Sequence, residues 1–400
     1  MTFNVGSELA FSPFGATGAA RRLFPKASFL EKPLENRRGA ASMHEKSEKA
    51  SSDPREVVPK RGVEPLRGYP HCALNAARLP VPPLRLIRGH FCCKSYLKMA
   101  SLSTTVDTNG TALLMIDFHV HCDYSIDAEG SVDDYITQAL KKGVRHICFT
   151  THCDLEPGRR HHDGRVKLRG EITDVTSDWL ESYIADVRGA AGRFSKNDME
   201  VYCGLEVGFV PGIEKMIENF ISPFDFDFIL GGVHTLRGID IVSPRESSEY
   251  FEGRTPRQVC EDYYFYVKEA AASGLFDSIA HIDIYKRTGL DFYGTDLNDA
   301  HWGFLETALE TMLDAGLALE VNSAPLRKGR TWPYPSPDIL KSARDAGVSE
   351  LTFGSDCHRP EDIAGHVDRC IAVARDAGYQ AVTVFRGRKA SAIPLQELML

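Results

Sequence analysis

Nowhere in the 400 residues do about 18 uncharged apolar residues follow one another, which excludes a helical membrane span. No Gly-x-Gly-x-x-Gly follows the first predicted strand, so a dinucleotide-binding unit would lack the loop that holds its pyrophosphate. The ten cysteines form no regular framework. No convincing secretory leader is present either: Leu9 to Ala20 is short, interrupted by Gly and Pro, and not preceded by a basic region. The cysteines therefore read as free thiols of a reducing compartment, the cytoplasm. Positive charge is scarce where a nucleic acid would need it. Residues 1–100 carry 17 Lys and Arg against 8 Asp and Glu, but the other 300 carry 30 against 47. So acidic a body argues against nucleic acid as a partner.

The chain is 43% hydrophobic and 10% aromatic, as in a globular protein, but this apolar content is unevenly arranged. The first hundred residues hold ten of the 21 prolines and the pairs Arg21-Arg22 and Arg37-Arg38, with no sustained period of 3.6 or 2. The polar stretch from Glu31 to Arg61 has little to bury. Residues 1–110 are expected to be a largely disordered tail, or a non-native extension ahead of a start at Met99 or Met115. From about residue 113 short apolar runs alternate with segments of helical period. The predicted strands are Leu113–Phe118, His146–Thr150, Glu200–Leu205, Phe226–Leu230, Ser278–Ala280, Leu317–Val321 and Glu350–Phe353. The predicted helices are Val132–Lys142, Asp178–Gly192, Gly212–Phe220, Pro256–Ser273, Asn298–Ala315, Ser336–Ala346 and Pro360–Ala377. Seven consecutive βα repeats favour a closed α/β barrel over an open doubly wound sheet. That barrel is expected to occupy residues 113–395.

On this map the histidines and acids fall in a regular way. His119 and His121 come at the end of strand 1, His152 after strand 2, Glu206 after strand 3 and His234 after strand 4. His281 follows strand 5, and Asp356 and His358 follow strand 7. Loops at the C-terminal ends of barrel strands converge on one mouth, so these side chains should meet in one cavity. A lone strand-end histidine is usually an ordinary polar residue. Eight potential ligands at strand ends, with few histidines elsewhere in the body, point to metal. Imidazole with carboxylate suits two or three divalent ions, Zn, Mn or Fe, and a carboxylate such as Glu206 can bridge two of them. Such ions bring the pKa of bound water close to neutral, so that hydroxide can attack. A cationic pocket inside an acidic protein favours a phosphate ester.

His119-Val120-His121, Thr151-His152-Cys153-Asp154, Gly204-Leu205-Glu206, Gly232-Val233-His234, Ala280-His281 and Gly354-Ser355-Asp356-Cys357-His358 resemble, in order, the motifs of the PHP (polymerase and histidinol phosphatase) superfamily. The resemblance spans residues 115 to about 390. It implies a distorted (β/α)7 TIM-like barrel, the PHP fold, with a trinuclear metal site. Carried over by position, it implies His119, His121, Glu206 and Asp356 as ligands of one ion and Glu206, His234 and His281 as ligands of a second. A third ion would take Asp127, His152 and His358. Leu319-Glu320-Val321-Asn322-Ser323-Ala324-Pro325-Leu326-Arg327-Lys328 and Pro333-Tyr334-Pro335-Ser336-Pro337 are similar to segments of metal-dependent histidinol-phosphate phosphatases. That likeness implies a phosphomonoester hydrolase of histidine biosynthesis, with Glu206, Asp356 and His358 as the catalytic groups. Family patterns often carry Thr-Ser-Gly where this chain has Ser323-Ala324-Pro325.

Phosphate recognition needs donors facing the metals. Arg327 and Lys328 just beyond strand 6 stand at the mouth; Arg160 in the loop after strand 2 and Arg237 after His234 are further candidates. Cys122, Cys153 and Cys357 adjoin ligands and should point away from the cavity, as core residues. The partner expected is a small phosphomonoester, with no membrane. Two enzymatic alternatives remain. One is a PHP phosphoesterase acting on nucleotides or oligonucleotide ends, disfavoured by the acidic body. The other is an amidohydrolase-type deaminase, disfavoured by Asp356-x-His358 and Glu206. A degenerate, purely binding module would have lost ligands, and none is missing.

Overall fold

A computed structural model describes residues 114–398; the tail expected over residues 1–110 lies outside the described residues. Seven parallel strands build the centre: β1 (Met115–Val120), β2 (Val144–Phe149), β3 (Glu200–Gly208), β4 (Phe228–Gly232), β5 (Ser278–Ile279), β6 (Ala318–Asn322) and β7 (Leu351–Gly354). They are hydrogen-bonded in that order. A short additional strand, His152–Asp154, pairs with the outer half of β3, placing His152 opposite Glu206. No ladder closes β7 onto β1. One bridge, Val120 to Cys357, and two backbone bonds, Asp356 N–H to His119 O (2.8 Å) and His121 N–H to Cys357 O (3.0 Å), join them at their C-terminal ends. Beside them the buried Asp117 accepts the Ser355 and Ala364 N–H groups, each at 2.8 Å. The result is a nearly closed, distorted (β/α)7 barrel, with every predicted strand represented.

The helices pack around this ring. They are α1 (Val132–Lys141), α2 (Ser177–Phe194), α3 (Glu214–Ile221), α4 (Ser247–Phe251), α5 (Pro256–Ala272), α6 (Lys286–Tyr293), α7 (Leu305–Ala315), α8 (Ala324–Arg327), α9 (Pro337–Asp345) and α10 (Val367–Asp376). Their ends follow local chemistry. Ser131 with Asp134 and Thr255 with Gln258 form capping boxes that satisfy free N–H groups at the starts of α1 and α5. Two helices are shorter than their sequence periods suggest. The stretch expected as helix from Asn298 enters regular α-helix only at Leu305, after a 3-10 turn over Gly294–Leu297. The stretch from Pro360 is interrupted because His366 adopts a left-handed conformation (φ 64°), so α10 starts at Val367. No helix among the described residues is long and apolar enough to cross a membrane.

Two features position the functional end. Between Asp117 and Val120 the register of β1 slips against β2, four residues spanning what the three from Ile147 to Phe149 span on the neighbour. This bulge breaks strict alternation. Phe118 consequently crosses the barrel to Tyr202 and Phe228, with ring centroids 4.9 and 5.5 Å away, while its neighbour His119 also reaches across to Glu320. At the opposite end an antiparallel hairpin, Ala381–Arg386 with Lys389–Pro394, seals the barrel floor. Its turn is held by Asp227 and Asp277, which immediately precede β4 and β5. The hairpin was not apparent from hydrophobic period alone.

Candidate metal centre

The ligand-type side chains converge above the C-terminal ends of the strands. Glu206, 1% exposed near the outer end of β3, is their hub. Its Oε2 lies 3.3 Å from His119 Nε2, 3.5 Å from His121 Nε2 and 2.9 Å from His152 Nδ1. Its Oε1 lies 3.0 Å from His281 Nε2 and 3.3 Å from His234 Nε2. The two oxygens thus face two different sets of imidazoles. Asp356 Oδ1 stands 3.4 Å from His121 Nε2 and 3.8 Å from His119 Nε2. Asp127 reaches in from the rim, 3.2 Å from His358 Nε2 and 3.9 Å from His152 Nε2. Neighbouring Asp123 is exposed and makes no such approach.

Three sets of donor atoms lie close enough to share an ion: His119, His121 and Glu206; Glu206, His234 and His281; and His121, His152 and His358. The third set puts His121 beside His152 and His358, where sequence position had put Asp127; Asp127 approaches the same two rings from the cavity side. Burial grades from the floor outward. His119, His121, Glu206 and His281 are sealed from solvent, His152 and His358 are about a quarter exposed, and the side chain of Asp127 is 55% exposed.

Local structure aims these groups. His358 Nδ1 lies 3.1 Å from the Asp356 carbonyl, which leaves Nε2 facing the site. Ser125 Oγ bonds Thr151 Oγ1 at 2.7 Å, accepts the His152 N–H at 3.1 Å and sits 3.5 Å from His121 Nδ1. Asp356 (φ 53°) and His281 (φ 25°) both hold positive φ, an arrangement disfavoured for side-chain-bearing residues and concentrated at functional sites. Gly232 leaves the room the site needs: a Cβ there would lie 2.7 Å from the His234 ring and 3.0 Å from Glu206 Oε1.

The electrostatics are those of buried anions that require positive charge. Burial alone would raise the Glu206 pKa, but His119, His234 and His152 hold it well below the carboxylate range. Asp356 is held down against burial by His119, His121 and His358. Burial would make the His152 imidazole less basic, yet Glu206 and Asp127 push its pKa up to about 10. Either imidazolium protons or bound cations can supply this charge. The donor set fits divalent metal: hard carboxylates and borderline imidazoles, with the buried Glu206 Oε2 faced by three imidazole nitrogens, none of them aligned to donate to it.

A cavity of about 680 Å³ opens over the cluster, within the range of small-molecule sites. Not every predicted phosphate donor reaches it. Arg160 is 60% exposed, does not line the cavity and lies 3.8 Å from Asp174. Arg237 sits in a left-handed turn (φ 53°) and forks onto Asp262 of α5 at 2.8 and 2.7 Å, also outside the cavity. Position near a ligand in sequence did not fix side-chain direction. Arg327 lines the cavity, but its guanidinium donates to the carbonyls of Ser355 and Asp356, tying α8 to the end of β7. Lys328 lines it without an ion pair among the described residues. So does Arg287 on α6, half-buried, a residue the sequence reading missed. Also missed was Asp154, directed into the cavity over Gly208; burial pushes it up to about 6 against the pull of His152 and His234. Ser323-Ala324-Pro325 leads into the single turn of α8, where Pro at the helix start is tolerated. Cys122, Cys153 and Cys357 are buried free thiols.

Comparison with known proteins agrees with this architecture. The PHP domain family matches residues 117–324. A protein named probable histidinol-phosphatase from Deinococcus radiodurans is 33% identical over 275 residues, covering 69% of this chain and 98% of the relative. The histidinol-phosphatase of Lactococcus lactis is 23% identical, covering 68% of this chain and 95% of the relative. A crystal structure of histidinol phosphate phosphatase from Lactococcus lactis, complexed with zinc, L-histidinol and phosphate, superposes with a TM-score of 0.57 at 20% identity. It covers 70% of this chain and 99% of the other. With more than half of its length matched by the domain and a relative above 30% identity aligned nearly end to end, the chain belongs to the PHP domain family.

Proposed function

We propose that this protein is a divalent-metal-dependent phosphomonoesterase that converts L-histidinol phosphate and water to L-histidinol and phosphate, a step of histidine biosynthesis. One observation carries the reading: Glu206 offers one oxygen to His119, His121 and His152 and the other to His234 and His281. That is the arrangement of a carboxylate shared between two cation sites. In this reading His119, His121, Glu206 and Asp356 hold one ion, Glu206, His234 and His281 a second, and Asp127, His152 and His358 a third. Zn, Mn and Fe all suit the donors. When bound, such ions supply Lewis acidity, drawing charge from phosphoryl oxygens and acidifying water.

The chain's own residues do the rest. Arg287 and Lys328, cavity-lining cations without ion pairs among the described residues, draw in and orient the phosphoryl group. Arg327 holds the Asp356 backbone, and so steadies a ligand from outside the reacting atoms. As the phosphorus–oxygen bond to the alcohol breaks, a proton must reach the departing oxygen. Asp356, held as a carboxylate, can take that proton from the attacking water and pass it on, and His358 lines the same cavity. The cavity volume and the acidic surface both suit a small phosphomonoester rather than a polynucleotide. The Deinococcus and Lactococcus relatives support the choice of substrate. The seven cysteines among the described residues are all free and buried, which suits a reducing compartment such as the cytoplasm. We assign the catalytic unit to residues 113–395.

A phosphate-release screen of the purified chain, with Zn or Mn supplied, tests this reading. Histidinol phosphate should give the highest kcat/KM in a panel that includes sugar phosphates, nucleotides and short oligonucleotides. A preference for nucleotides or oligonucleotide ends would overturn the substrate, and no release from any ester would overturn the activity.

A further inference from the structure

We infer that Glu320 is a positioning residue that orients one imidazole from each of the two sets facing Glu206, and thereby sets how tightly both cation sites bind. The inference rests on the metal reading above. Glu320 lies in β6, a strand otherwise built of Ala318, Leu319, Val321 and Asn322, and it is 1% exposed. A carboxylate so deeply buried is costly unless its oxygens are used. Both are used, and neither toward the cavity. His119 Nδ1 lies 2.5 Å from Oε1. Oε2 accepts the backbone N–H of His281 at 2.8 Å and the Asn322 amide at 3.2 Å.

Each bond has a directional consequence. A His119 ring that donates from Nδ1 carries its lone pair on Nε2, the atom 3.3 Å from Glu206 Oε2 and 3.0 Å from His121 Nε2. Carboxylates that fix the tautomer of a ligating histidine in this way tune metal affinity. On the other side, the N–H bond secures His281 in its positive-φ backbone conformation, from which Nε2 points at Glu206 Oε1. Glu320 is not itself a member of any of the three ligand sets. The neighbouring strand makes room for the pair. At Gly354 of β7 a Cβ would lie 2.3 Å from both Glu320 Oε1 and His119 Cβ, so no other residue fits without displacing them. Three strands therefore cooperate in one contact that reaches the cation sites only through other side chains.

The test is zinc binding by the full chain, measured by chelator competition and metal content, for wild type, Glu320→Gln and Gly354→Ala. Glutamine can keep one of the two oxygen-mediated contacts but not both, and alanine at 354 displaces the pair without removing charge. Both variants should bind zinc roughly 10- to 100-fold more weakly. Unchanged affinity in a folded Glu320→Gln chain would overturn the inference while leaving the metal reading intact; a wild-type chain that binds no zinc would overturn both. Should the variants fail to fold, the nitrogen shifts of His119 in zinc-loaded wild type decide. Protonated Nδ1 with a zinc-bound Nε2 is expected, and the opposite tautomer sinks the proposal.

Discussion

Replacing Glu206 by Gln keeps the shape of the hub and removes its charge, which isolates the electrostatic part of the metal reading. At 3.3 Å, the separation of Oε2 from His119 Nε2, two unit charges attract by about 5 kcal/mol at an effective dielectric of about 20. This bounds the loss at more than three decades of cation affinity. Part is recovered, because imidazoles that Glu206 makes more basic can give up their protons once it is neutral. The expected net loss is therefore on the order of 100- to 1000-fold in zinc affinity, with phosphate release falling at least as far. The same proton release keeps the variant folded, since no imidazolium is left buried without a partner. Metal content after dialysis against a weak chelator, circular dichroism and phosphate release, taken on one preparation, decide the matter. A folded Glu206→Gln chain that keeps full metal content and activity within tenfold of wild type would refute the argument.

Four further outcomes follow from the same structure. Arg287→Met should lower kcat/KM for a phosphomonoester by roughly 10- to 100-fold, the worth of a charge-assisted bond to phosphate. Arg237→Ala, which breaks only an exposed pair with Asp262, should stay within about threefold; equal losses in kinetic assays would mean that the cavity has been misread. Zinc loading at pH 7 should release protons, because His152, pushed up to about 10 beside Glu206, is protonated there and must be neutral to ligate. Affinity should accordingly rise as pH increases from 6 to 9. Calorimetry in buffers of different ionisation enthalpy measures the proton count, and a count of zero would contradict the charge balance described. Asp117→Ala strands the Ser355 hydroxyl and the Ser355 and Ala364 N–H groups. At about 1–3 kcal/mol per buried donor, it should destabilise the fold by roughly 3 kcal/mol or more in chemical denaturation; a loss below about 1 kcal/mol would show that water replaces the carboxylate.

The strand positions and the gathering of histidines were legible because both depend on chain order alone: βα repeats dictate a barrel, and a barrel dictates one mouth. What depended on direction was not. Arg237 stands three residues from His234, yet a left-handed turn sends it to Asp262. Arg287 reaches the cavity from the first turn of α6, a helix the sequence reading left out. Glu320 lies inside a motif of the sequence, but its use emerges only when β1, β5 and β7 are set around it; an acid in the middle of a short buried strand was the available signal. The bulge in β1 carries the same lesson, since a period-two rule would send Phe118 and His119 to opposite faces, and both turn inward.

The joint between β1 and β7 has a consequence for how the molecule comes together. The barrel's first and last strands are joined by one bridge and two backbone bonds, with Asp117 bonded to Ser355 beside them, and the bridge and backbone bonds lie at the ends that carry His119 and His121 on one side and Asp356 and His358 on the other. An ion held by ligands from both sides would act there as a rivet through a seam that no ladder closes. Amides flanking that seam should therefore exchange with solvent more slowly once zinc is loaded, and assembly of the catalytic apparatus and closure of the hoop become a single event.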